Sequence, residues 1–160
     1  MKQVTAGARR GFTTIELLIA LVILGVLLAI ALPNFQSSIR KGRRSEAFSA
    51  LSVVQQAQER HRSTNAAFTT LLTAAPTATP PGLGLPATRT PTGYYDLAVS
   101  SANATTYVAT ATAVSGTSQA NDGDCAVLAV RIEGGNIRYG SGTSIDWTGT
   151  NTDPQRCWAR

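Results

Sequence analysis

Glu16 is the residue in this chain that most needs an explanation. It is the only charged residue from Phe12 through Ile39, and it borders an unbroken run of apolar residues and glycine, Leu17 to Leu32. A carboxylate in such a segment costs up to roughly 2.5–3.5 kcal/mol at the centre of a membrane helix, and less near its end. A residue kept at that cost needs a cationic partner, or a position from which its head reaches water. Other chemistry is sparse. One histidine (His61) and two cysteines (Cys125 and Cys157) are too few for a four-ligand zinc site. Asn121-Asp122-Gly123-Asp124 is first a turn signal, and two aspartates are too few oxygens for a calcium loop. No glycine-rich phosphate loop, HExxH or GxSxG occurs. The expectation is a protein that is not an enzyme, with no cofactor and no metal.

The composition agrees with that reading. The 160 residues suit one compact domain plus an extension. Hydrophobic residues make up 43% and charged residues only 14%, which excludes a disordered chain. The formal charge of +5 is concentrated at the start: Lys2, Arg9 and Arg10 precede the apolar run, and Arg40, Lys41, Arg43 and Arg44 follow it. Without residues 1–11 the balance is 11 basic against 9 acidic residues, or +2. This is not the spread basic face with interleaved aromatics of a nucleic-acid binder.

From Phe12 to Phe35 a helix would span roughly 36 Å, enough to cross a hydrocarbon core of about 30 Å. Three readings compete. A secretory signal peptide would use the basic start and the Ala29-Ile30-Ala31 cleavage pattern. A plain membrane anchor would simply keep the segment. Both leave Glu16 without a task. The third reading rests on Arg9-Arg10-Gly11-Phe12-Thr13-Thr14-Ile15-Glu16 and the apolar run behind it. Here the chain resembles the type IV pilins and pseudopilins, whose precursors carry a short basic leader ending in glycine. Thr14 departs from the leucine usual there.

The resemblance implies cleavage between Gly11 and Phe12 by a membrane prepilin peptidase, and N-methylation of Phe12. It implies that Glu16 pairs with the N-terminal amine of a neighbouring subunit, forming an assembly salt bridge. It places the N-terminus in the cytoplasm and the globular part outside, a choice that counting basic residues on the two sides does not make. The inner membrane would hold the subunit before it enters a periplasm-spanning filament and surface pilus. Other pilin subunits, the peptidase, the assembly machinery and membrane lipid would be its partners. Gly25 and Pro33 are the expected weak points of the helix, as a kink or as the stretch that loosens on assembly.

The helical pattern continues past Ala31, which argues against signal peptidase. Ala47, Phe48, Leu51, Val54, Ala57 and Gln58 recur at helical spacing, so one helix is expected over residues 12–62, roughly 76 Å long. Residues 12–35 would be the membrane or filament-core part. His61 is expected to be a solvated or C-terminal helix residue, favoured there by the macrodipole. The basic cluster Arg40, Lys41, Arg43 and Arg44 reads as a solvated collar at lipid headgroups, or as a contact for acidic neighbours or DNA.

Residues 63–92 are rich in Thr, Ala and Pro and read as the loop from helix to sheet. Residues 93–160 hold four strand-like runs: Tyr94–Val99, Thr105–Val114, Cys125–Glu133 and Asn136–Tyr139. Gly134-Gly135 between the last two suits a two-residue hairpin. The expected fold is α+β, a pilin fold with a long N-terminal helix packed on a four-stranded antiparallel β-sheet. In an exported chain, Cys125 and Cys157 read as a disulfide stapling the tail with Trp147 and Trp158, the alternative being two buried thiols. Such a bridge resembles the disulfide-bounded loop of type IV pilins.

The function expected is a structural subunit, major or minor, of a type IV pilus. One alternative is a pseudopilin of a type II secretion system. Another is a pilus-borne DNA-uptake receptor, for which Arg131, Arg138, Arg156 and Arg160 are the candidate contacts, dispersed among acidic residues.

Overall fold

A computed structural model describes residues 11–158, with residues 33 and 34 described for their backbone only. Residues 1–10, which hold most of the expected leader with Lys2, Arg9 and Arg10, lie outside the described residues, as do the Pro33 side chain and Arg160. The elements in chain order are α1 (Thr14–Arg62), β1 (Tyr95–Ser100), β2 (Thr106–Ala113), β3 (Val127–Glu133) and β4 (Asn136–Ser141), with two 3-10 turns, Ser118–Asn121 and Gly123–Ala126, before β3. The expected α+β architecture is present. By contacts the chain divides into two units, Met1–Ser38 and Ile39–Arg160.

In the first unit α1 is apolar all round. Its large side chains from Phe12 to Leu32 are 47–85% exposed, so the unit buries almost none of its own hydrophobic surface. The helix is long and apolar enough to cross a membrane. The helical assignment runs through Gly25 and Pro33 without a break.

In the second unit α1 is amphipathic. Ala47, Leu51, Val54, Ala57, Gln58 and His61 fall at steps of three and four and are all buried. The sheet is an antiparallel meander in the order β1-β2-β3-β4. Side chains alternate across it, with Tyr107, Ala109, Ala111 and Ala113 of β2 and Leu128, Val130 and Ile132 of β3 on the core side. The alanines at the centre of β2 leave room for the larger helix residues Leu51 and Val54 in the same core. Each buried leucine or valine removes enough apolar surface to stabilise the unit by about 1.5–3 kcal/mol.

The β3–β4 hairpin turns through Gly134 (φ 55°) and Gly135 (φ 85°), closing the pair Glu133 and Asn136. Positive φ at both central residues is the geometry that admits glycine and matches strand twist. The third strand begins at Val127 rather than Cys125. Asp122 to Ala126 instead turn tightly, which places Cys125 in a 3-10 turn.

The loop after α1 has neither helix nor strand, yet it is ordered by its own backbone. Leu83 N–H donates to Leu71 O at 2.9 Å, and Leu85 N–H to Leu72 O at 2.9 Å. Leu72 and Leu83 join the core. A Cβ at Gly82 would stand 2.4 Å from Ala74 O, so this crossing admits only glycine. Gln58 fastens the loop to the helix: its Nε2 donates to Thr69 O at 2.6 Å, and Thr69 N–H donates to its Oε1 at 3.2 Å.

Candidate functional site

The N-terminal features stand at the edge of the apolar helix. Thr13 is its N-cap. Its carbonyl accepts the first helical bond from Leu17 N–H at 3.2 Å, and its Oγ1 accepts from Glu16 N–H at 3.3 Å. The Glu16 carboxylate accepts in return from Thr13 N–H at 3.5 Å. Glu16 is exposed and makes no ion pair among the described residues. Gly11 and Phe12 lie outside the helix and are exposed. A Cβ at Gly11 would meet nothing within 4 Å, so the chain's own packing does not demand glycine there.

The basic cluster after the apolar run is not the solvated collar expected. Arg44 Nε and Nη2 donate to the Asp122 carboxylate at 2.7 and 2.8 Å, and Arg40 Nε lies 3.6 Å from it. Arg43 stacks on Tyr94, 3.9 Å from the ring centroid, and donates to Ser118. Among the described residues, only Lys41 of the four is exposed without a partner. The hydrogen bond to Asp122 holds the Arg44 guanidinium above its usual pKa range. Gln119 donates to the same carboxylate at 2.9 Å, so Asp122 faces donors and is not turned toward a cation site.

His61 lies in the last turn of α1, as one of the two readings has it, but it is not solvated. It is 9% exposed, and neither ring nitrogen has a hydrogen-bond partner. Its place four residues after Ala57 puts it on the buried stripe, and that spacing was the available signal.

Cys125 and Cys157 form a disulfide with Cα atoms 5.4 Å apart. Asp153 orders the tail around it, a role that sequence reading missed. Its Oδ1 accepts from Ser141 Oγ at 2.7 Å and Cys157 N–H at 2.9 Å, and its Oδ2 from Trp158 N–H at 3.0 Å. Trp158 stacks on Phe48 with ring centroids 4.6 Å apart, and its Nε1 donates to Gly140 O at 2.7 Å. The tail is thus tied to β4 and to the helix of the same unit.

The structure brings two of the candidate DNA contacts together. Arg131 and Arg138 are cross-strand partners on β3 and β4. Arg131 pairs with Glu133 at 2.8 Å and lies 5.9 Å from the Trp147 ring, while its Nε is buried without a partner. Arg138 donates to the carbonyls of Trp147 and Gly149. Arg156 stands apart, exposed and at φ 52°, a strained backbone for a residue with a side chain.

An apolar helix with its start exposed in the first unit, and a four-stranded meander with a disulfide closing the tail in the second, make up the architecture of a type IV pilin. The comparisons agree. The prokaryotic N-terminal methylation motif matches residues 7–32. The family described as type IV minor pilin ComP, DNA uptake sequence receptor, matches residues 33–129, more than half of the chain. The chain belongs to this family of type IV minor pilins.

Among curated relatives, a fimbrial protein of Moraxella nonliquefaciens is 54% identical over 41 residues, 26% of this chain and 27% of its own. The fimbrial protein EcpC of Eikenella corrodens is 50% identical over 40 residues, 25% of this chain and 26% of its own. The type IV major pilin protein PilA of Myxococcus xanthus is 46% identical over 50 residues, 31% of this chain and 23% of its own. The chain spans about a quarter of the length of the curated relatives it matches. The apolar helix is long enough to anchor a chain in a membrane.

Proposed function

We propose that the chain is a minor structural subunit of a type IV pilus. Residues 1–11 form the leader, a prepilin peptidase cuts between Gly11 and Phe12, and the new Phe12 amine is methylated. Residues 12–35 hold the subunit in the inner membrane, N-terminus inside, until the assembly machinery adds it to the fibre. Glu16 then meets the Phe12 amine of a neighbour. At an effective dielectric near 20, such a pair at 4 Å gains about 4 kcal/mol, which offsets desolvation and fixes register. Gly25 and Pro33 are where the helix bends or loosens on entry.

The observation that carries this reading is the uncovered apolar helix: side chains from Phe12 to Leu32 that find no cover among the described residues. Water does not tolerate that surface, so a bilayer or a bundle of like helices must cover it. Intact mass and N-terminal sequencing of the exported protein test the proposal. A methylated Phe12 is expected. A chain beginning at Leu32 overturns it in favour of ordinary secretion. The match over residues 33–129 favours the pilus over the type II secretion pseudopilus.

The same match favours a second reading, a DNA-uptake receptor carried on the pilus. Lys41, Arg60 and Arg156 are the cations without partners among the described residues, and the Arg131 Nε is unsatisfied beside Trp147. Fluorescence anisotropy of a labelled duplex with the full chain in detergent decides it. Saturable binding that weakens steeply with salt supports the receptor, and binding that never saturates at physiological salt rejects it.

A further inference from the structure

Thr13 and Glu16 satisfy one another's backbone. The Glu16 N–H donates to Thr13 Oγ1, and the Thr13 N–H donates to the Glu16 carboxylate. With Thr13 as N-cap and Glu16 at the third helical position, this is a capping box. Phe12 and Leu17 occupy the two positions of a hydrophobic staple around it. From this geometry we infer that Thr13 is a positioning residue for leader cleavage: it stops the helix one residue beyond the scissile bond. The inference rests on the pilin reading above.

The argument begins with the chain on either side. Thr14 onward is a strong helix, and Ala8, Arg9 and Arg10 upstream are good helix formers by type. Gly11 weakens a helix by about 1 kcal/mol without ending it, so lacking a stop at Thr13 the helix can still propagate through Phe12. The Gly11–Phe12 amide would then lie inside a hydrogen-bonded turn, where a protease that takes its substrate extended finds no free backbone. With the cap in place, Gly11 and Phe12 are non-helical and exposed. Water can then be added across that amide by the peptidase, leaving a carboxylate on Gly11 and a free amine on Phe12. At a bilayer edge the cap matters more than in water, because an uncapped first-turn N–H has fewer alternative partners.

Glu16 thereby acquires two separable tasks. As half of the box it needs only a hydrogen-bond acceptor, which glutamine also supplies. As the partner of a neighbour's amine it needs its charge. Before assembly the carboxylate serves Thr13, and in the fibre it serves the next subunit.

The test uses the full-length precursor in lipid vesicles with purified prepilin peptidase, reading kcat/KM for loss of the leader by intact mass. Thr13→Val, which keeps the shape and loses the hydroxyl, is expected to lower kcat/KM about fivefold or more. Thr13→Ser and Glu16→Gln are expected to stay within about twofold of the unmodified chain. The serine rescue separates capping from a requirement for bulk. Thr13→Val cleaved like the unmodified chain, or Thr13→Ser as poor as Thr13→Val, overturns the inference. An unmodified precursor that is not cut at Gly11 overturns the pilin reading instead, so the two failures are distinct.

Discussion

Asp122 shows how much one side chain can settle. Its two oxygens collect Arg44, Arg40 and Gln119, with a side chain 6% exposed. The turn that bears Cys125 is thereby fixed to the helix 78 positions earlier in sequence. Replacing Asp122 by Ala leaves a half-buried Arg44 without its partner. Breaking a buried pair typically costs 3–5 kcal/mol. Arg40 keeps part of its solvent, so about 2–3 kcal/mol is expected here. Denaturant unfolding of the full chain in detergent measures it, and a loss under about 1 kcal/mol rejects the clamp. No sequence rule reaches this pairing. Four cations after an apolar run read as a collar because local spacing says nothing of an acid so far away.

Among the elements, α1 was the most legible, because its apolar run and its later spacing both carry helical signals. Its start at Thr14 was legible in principle through Thr13-x-x-Glu16, a capping spacing overshadowed by the question of the carboxylate's charge. The strands were readable from β-branched alternation, and Gly134-Gly135 from turn chemistry. The loop over residues 63–92 was not readable, because its order comes from Leu71–Leu83 backbone bonds and from Gln58, contacts between parts distant in sequence. Gln58 is fully buried, and both halves of its amide are spent on Thr69. Gln58→Met keeps the volume and strands that N–H and C=O. A loss of about 1–3 kcal/mol is expected, together with faster amide exchange at Thr69. Unchanged exchange at Thr69 would show that the amide does not hold the loop.

At the scale of the whole molecule, the globular unit buries two tyrosines completely, Tyr95 and Tyr107. Burial pushes the Tyr95 hydroxyl up to about 12, with the Asp122 charge adding to it, and burial pushes Tyr107 higher still. In the unfolded chain both return to the ordinary value near 10. The native state therefore holds its protons longer than the unfolded one. That contribution is complete below pH about 10 and is lost as the pH rises toward and past about 12. Alkaline titration of the full chain should show the ultraviolet signal of these two phenolates delayed past pH about 10, arriving with loss of near-ultraviolet dichroism. Ionisation of Tyr95 and Tyr107 near pH 10 with the fold intact would contradict the buried placement.

The inward turn of the arginines has one more consequence. Arg40 and Arg44 are turned onto Asp122 and Arg43 onto Tyr94, so of these four side chains only Lys41 is left exposed with no partner among the described residues. Each basic residue left near an acidic leaflet would add about 1 kcal/mol of grip. A subunit built this way, once in a bilayer, would be moored chiefly by its apolar helix. Drawing it out would then be chiefly a matter of swapping one greasy surrounding for another, a step that brine alters little.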